Sequence, residues 1–166
     1  RLEGWDGCSG YHYSDAYIYG FSHTHLSGTG VSDYGDILLM PTNAINFHNG
    51  ADAKKGYRAH FSHKNEEASP GYYKVDLDSY NIKAELTASE LIGFHQYTFP
   101  KSDSSFIQFD FTTVLGSSET QEAKVSQVSN NQIVGEVVMA ATIRRPKPIT
   151  VYFVADFDKA FEQFGG

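Results

Sequence analysis

Cysteine is almost missing from this chain: Cys8 stands alone in 166 residues, which excludes an internal disulfide and any metal site built on several thiolates. Positive charge is short as well, with 13 Lys and Arg against 20 Asp and Glu for a formal net charge of -7. Such a surface is not built to neutralise phosphates, so no nucleic acid is expected as a partner. No apolar run approaches the roughly 18 residues of a membrane span. The start at Arg1 shows neither a methionine nor a signal-peptide pattern, and the chain reads as a piece of something longer. Repeats, low-complexity tracts and long amphipathic helical patterns are also lacking.

Aromatic residues are what the chain has in plenty, with 12 Phe and 11 Tyr. That loading fits a β protein with large inward side chains or a sugar-contacting surface. The length suits one domain able to bury roughly 70% of the surface its unfolded form exposes, without a covalent staple.

Two halves differ in pattern. Before residue 50, glycines interrupt a stretch rich in Tyr, His, Ser and Asp with no sustained period, the signature of loops that carry function. The exception is Asp36 to Met40, a continuous apolar run before Pro41 that reads as a buried strand. After residue 50, alternation takes over. Tyr73, Val75 and Leu77 alternate with Lys74, Asp76 and Asp78; Ile82, Ala84 and Leu86 alternate with Lys83 and Glu85; the turn chemistry of Asp78 to Asn81 joins them as a hairpin. Further strands are expected at Ile92 to Phe99, Ile107 to Phe111, Ala123 to Val128, Ile133 to Met139 and Ile149 to Ala155, and a short helical turn at Asp158 to Phe164. The expected fold is all-β, two packed antiparallel sheets forming a large β-sandwich.

The richest candidate for chemistry is the run from Gly20 to Gly30, which holds Phe21, His23, His25, Ser27 and Gly28. On an extended segment His23 and His25 share a face. Three readings stay open for them: a metal pair short of its third and fourth ligands, a turn shaped by histidine hydrogen bonds, and contact with a polar ligand. Trp5, among Gly4, Asp6, Gly7 and Ser9, is either a platform for the C–H face of a sugar or a cap on the sandwich edge. Nearby Tyr11, His12, Tyr13 and Asp15 favour the expectation of a polar groove there. Asp33 and Asp36 are too close in sequence to face each other across a glycosidic bond, and such residues usually cap backbone amides. Arg144, Arg145 and Lys147, around two prolines, read as a solvated loop.

Several of these stretches carry a resemblance. Gly10 to Tyr13, the run GFSHTHLSGTGVSDYGDILLMPT from Gly20 to Thr42, Ser69 to Tyr73, Ala84 to Ala88, His95 to Pro100 and Val151 to Phe153 resemble the N-terminal domain of glycoside hydrolase family 92, the calcium-dependent exo-acting α-mannosidases. The chain departs from the family pattern at Glu90 and Gln96, where a basic residue is usual. The resemblance implies a β-sandwich of the galactose-mutarotase-like supersandwich kind over 1–166, followed in the parent by a catalytic (α/α)6 barrel C-terminal to it. It also implies inverting hydrolysis of terminal α-linked mannose from glycans. In that scheme the general acid, the base carboxylates and most ligands of the calcium lie on the barrel. This chain would supply one wall of the mannose pocket, with Trp5, Phe21, His23, His25, Ser27 and Gly28 as substrate-binding candidates, no catalytic residue and no metal of its own. Implied partners are mannose-containing glycans and the chain's own C-terminal domain, and the implied location is secreted or periplasmic in a bacterium. An autonomous carbohydrate-binding module stacking sugars on Trp5, Tyr11 and Tyr13, or a purely structural domain, are the alternatives.

Overall fold

The computed structural model describes residues 10–24, 37–113, 119–143 and 145–166. Its strands are β1 (Tyr17–Ile18), β2 (Leu38–Thr42), β3 (Ala59–His60), β4 (Glu66–Ser69), β5 (Tyr72–Leu77), β6 (Ile82–Ala88), β7 (Gly93–Thr98), β8 (Phe106–Asp110), β9 (Thr120–Ser129), β10 (Gln132–Met139) and β11 (Ile149–Asp156). A 3₁₀ turn at His63–Asn65 is capped by the Ser62 hydroxyl, which accepts from the Lys64 amide. Every pairing is antiparallel, and the sheets run β4-β5-β6-β7, β11-β10-β9, β2-β8 and β1-β3. This is the all-β, antiparallel sandwich expected from the alternation.

The β2-β8 ladder explains the continuous apolar run around Leu38. Met40 packs into one core with Val75, Leu77, Ile82 and Ala84 of the four-stranded sheet. Ile37 and Leu39 pack into a second core with Val137 and Met139 of β10 and with Val151 and Phe153 of β11. A strand covered on both faces has no polar side to alternate with. Pro41 is tolerated within it for a simple reason. Leu39 exchanges both its backbone hydrogen bonds with Phe21, so Pro41, two residues on, aims its missing donor at that same side, where the pairing is a single isolated bridge. No ladder bond to β8 is lost.

The hairpin of β5 and β6 forms in the expected register, with Leu77 opposite Ile82. Asn81 holds a φ of 53° in its turn, a left-handed conformation that asparagine accepts more readily than most residues. In the other sheet, Gly135 lies opposite Phe153, and a Cβ there would fall 2.5 Å from the ring. Its absence lets Phe153 stack on Phe109 at 5.9 Å and on Phe111 at 5.8 Å.

One expectation fails. Residues 158–164 form bends, not a helical turn. The amides of Phe157 and Phe161 donate to the carbonyls of Asn131 and Asn130 in the turn between β9 and β10, and Phe157, Phe161 and Phe164 pack in series. Tethering to the sheet replaces the helical hydrogen bonds. The sequence also gave no warning of β4, whose Glu66 to Ser69 carry no apolar alternation and which forms as an edge strand beside β5.

Candidate functional site

Alternation along β7 places Gly93, His95 and Tyr97 on the face that also carries Ala88, Leu86 and Ala84 of β6, their register partners. Gly93 leaves room for a ring: a Cβ there would overlap His23, whose imidazole lies over the strand. From that position His23 Nε2 meets His95 Nε2 at 2.6 Å, and His95 Nδ1 meets the Tyr97 hydroxyl at 2.6 Å. A polar line thus runs from half-buried Tyr97 of β7 to exposed His23.

Electrostatics keep the His95 and Tyr97 members of this line uncharged. Burial, and then the neighbouring His23, push His95 down to about 4, and burial pushes the Tyr97 phenol above its usual range. At neutral pH His95 is therefore an uncharged imidazole between a protonated phenol and a second imidazole. If Tyr97 donates to Nδ1, His95 donates from Nε2 to His23; the opposite tautomer reverses every bond. The line orients His23 either way without placing a net charge on His95.

A second cluster lies across Phe21. Glu66 Oε1 accepts from the Tyr73 hydroxyl at 2.6 Å, and Oε2 accepts from Tyr11 at 3.1 Å and contacts His63 Nδ1 at 2.5 Å. The Tyr13 ring stacks on His63 at 4.2 Å. Burial pushes the Glu66 carboxyl up, but hydrogen bonds from Tyr73, His63 and Tyr11 outweigh it, and the net shift is downward. Burial and then the Glu66 hydrogen bond raise Tyr11 to about 12. Glu66 is thus an ionised anchor for Tyr11 and its loop, with its oxygens already committed. It is poorly suited to act as a proton donor.

Of the residues singled out in the sequence, Trp5, His25, Ser27 and Gly28 lie outside the described residues, as do Asp33 and Asp36. His23 stands at the exposed end of the line just described. Phe21 is 8% exposed and belongs to the core, with its ring 6.5 Å from both His95 and Tyr73; it floors the site from below. Tyr11 and Tyr13 are exposed and belong to the Glu66 cluster. Thr142 and Arg145 exchange backbone hydrogen bonds, and Arg144 lies outside the described residues.

Sequence reasoning did not select His95 or Glu66 for the site. The alternation of Gly93, His95 and Tyr97 marks a shared face, but nothing in the sequence says that His23, 72 positions away, lies over it.

The calcium implied by the resemblance does not fit these groups. Calcium takes six to eight oxygen ligands, whereas the line offers imidazole nitrogens and Glu66 spends its oxygens on protein donors. Among the described residues no group of three or more His, Cys, Asp or Glu is placed to hold a metal.

Fold and site together define a class: an antiparallel β-sandwich with a hydrogen-bonded histidine–tyrosine line at the edge of its larger sheet. Residues 1–166 match the family model described as Glycosyl hydrolase family 92 N-terminal domain. The chain belongs to this family. The GH92 α-mannosidase BT3965 of Bacteroides thetaiotaomicron, solved in complex with mannoimidazole, is 34% identical. That match covers 98% of this chain and 21% of the relative, with a TM-score of 0.86. The GH92 family glycosyl hydrolase ccman5 is 29% identical over 89% of this chain and 20% of its own, with a TM-score of 0.67. An uncharacterized secreted glycosidase of Arthroderma benhamiae is 27% identical over 111 residues, which are 62% of this chain and 14% of that protein. The chain therefore spans about a fifth of the length of these solved relatives. No helix among the described residues is long and apolar enough to cross a membrane.

Proposed function

We propose that this chain is the sandwich domain of an exo-acting α-mannosidase that removes terminal α-linked mannose from glycans, and that its edge at His23 is one wall of the sugar pocket. The observation that carries this reading is the hydrogen-bonded line Tyr97–His95–His23, uncharged at Tyr97 and His95. A sugar hydroxyl is an uncharged donor and acceptor, and it is matched by an imidazole whose tautomer is set from behind. The likeness to an α-mannosidase across 98% of the chain supplies the substrate class.

On this reading His23 orients substrate, His95 and Tyr97 position His23, and Phe21 holds His95 in place. Trp5, His25, Ser27 and Gly28 remain proposed sugar contacts. Catalytic carboxylates and calcium belong to the remainder of the parent, so the isolated chain does not hydrolyse aryl α-mannosides. A secreted or periplasmic location fits the secreted relative.

The test is steady-state kinetics of the full-length parent on an aryl α-mannoside. His23→Ala is expected to lower kcat/KM at least tenfold, while His95→Phe acts in the same direction with folding retained by circular dichroism. Unchanged kcat/KM in His23→Ala would favour a purely structural domain and remove the pocket-wall reading.

A further inference from the structure

A cleft of about 650 Å³ opens between the loop after β2, the end of β8 and the start of β9. It shares no residue with the His23 line, and its volume lies within the range of small-molecule sites. Phe109 and Phe111 border it while their rings stack on Phe153 in the core, and Phe47 stands at it with 82% of its surface exposed. An isolated exposed phenylalanine beside a polar cleft is a ready platform for an amphipathic ring.

The walls are rigid for a definable reason. Asn46 donates to the Lys55 carbonyl at 2.7 Å and accepts from the His48 amide at 2.9 Å. Gln108 donates to the Asn46 carbonyl at 2.7 Å, and Asn49 donates to Thr112 Oγ1 at 3.1 Å. Beneath them, Asp110 accepts from the hydroxyls of Tyr57 and Thr113, each at 2.6 Å, and from the amide and hydroxyl of Thr112, each at 2.7 Å. These groups are committed to the protein. His48, Glu119 and Gln121 are different: they are exposed on the cleft, and their side chains make no hydrogen bond to another described residue.

The cleft therefore presents one aromatic face, a hydrogen-bonded frame and three uncommitted polar side chains, with no lysine or arginine among the described residues that line it. That combination disfavours an anion and suits an uncharged, polyhydroxylated ring. We propose that the cleft is a carbohydrate subsite in which a hexopyranose lays its C–H face on Phe47 and hydrogen-bonds through its hydroxyls to Gln121, Glu119 and His48. Nothing in this proposal depends on the pocket-wall reading of His23.

The experiment is titration of the full-length protein with D-mannose, followed by calorimetry and saturation-transfer NMR, in wild type, Phe47→Ala, Gln121→Ala and His23→Ala. The expected result is a millimolar-class site weakened at least tenfold by Phe47→Ala and by Gln121→Ala but retained in His23→Ala, with turnover of an aryl α-mannoside unchanged in Phe47→Ala. Phe47 is exposed, so its truncation does not threaten the fold. Mannose binding that is unaffected by both cleft substitutions overturns the proposal, even if His23→Ala abolishes turnover. A parallel titration with spermidine covers the acidic rim: binding of the polyamine that Glu119→Gln removes and Phe47→Ala leaves intact, with no mannose at the cleft, also overturns it.

Discussion

Acidification should cost this fold stability through His95 in particular. In the folded chain its pKa is held at about 4, against an ordinary value of 6.5, because burial and the adjacent His23 both oppose a charge. Between those values the unfolded chain binds a proton that the folded chain refuses, so the stabilising effect of neutral His95 is fully present above about pH 6.5 and is lost as the pH falls toward 4. The gap is worth on the order of 3 kcal/mol, about two-thirds of it spent by pH 5. Urea unfolding at several pH values between 7.5 and 4 measures this in wild type and in His95→Gln. The comparison isolates one residue, since Asp110 and Glu66, whose pKa values are lowered, and His63, whose pKa is raised, titrate in both proteins. The acid-dependent loss should be larger in wild type by roughly that amount. The His95 ring resonances should titrate near pH 4. Parallel stability curves for the two proteins, or a His95 midpoint near 6.5, would refute the argument that a buried, neutral imidazole links Tyr97 to His23.

Gly93→Ala puts a methyl group into the space of the His23 ring, so we expect His23 to be displaced, a cost of about 1–3 kcal/mol, and altered His95 ring shifts by NMR. Asp110→Ala strands the donors of Tyr57, Thr112 and Thr113 and should cost on the order of 3 kcal/mol, with Asp110→Asn costing less, as read by urea denaturation. Met40→Ala, at a side chain 1% exposed between the sheets, should cost about 2–5 kcal/mol in the same assay. Glu66→Gln weakens the anchor of Tyr11 and His63 and is expected to speed amide exchange in residues 11–15 while leaving β5 and β6 protected.

The strands after residue 50 were legible because half-buried strands leave a period of two. Tyr73, Val75 and Leu77 have one face in the core and one in water, and their register follows. β2 announced itself differently, as an unbroken apolar run, because both of its faces are covered. β4 was illegible: an edge strand needs only backbone groups to pair, and the Glu66 side chain binds Tyr11, His63 and Tyr73 through its carboxylate and adds no apolar group to the pattern. The site was half legible for a related reason. His23 stood out by composition, yet its partner is fixed by the packing of a loop over Gly93, a contact that no local pattern encodes.

The commitments of the two best-held carboxylates bear on what the domain contributes. Glycoside hydrolysis calls for a pair of carboxyl groups facing each other across the bond, one of them protonated when it acts as the acid. Glu66 and Asp110 are each held by tyrosine and by further donors, and in each the hydrogen bonds outweigh burial and lower the pKa. Freeing either one would strand the donors it holds, among them buried Tyr57 and Thr113 at Asp110, so both are fixed as structural anions. At the edge of the larger sheet the described groups are instead uncharged at His95, an imidazole linked to a second imidazole and a phenol. Among the described residues, these two carboxylates therefore serve as anchors, and neither is held as a proton donor.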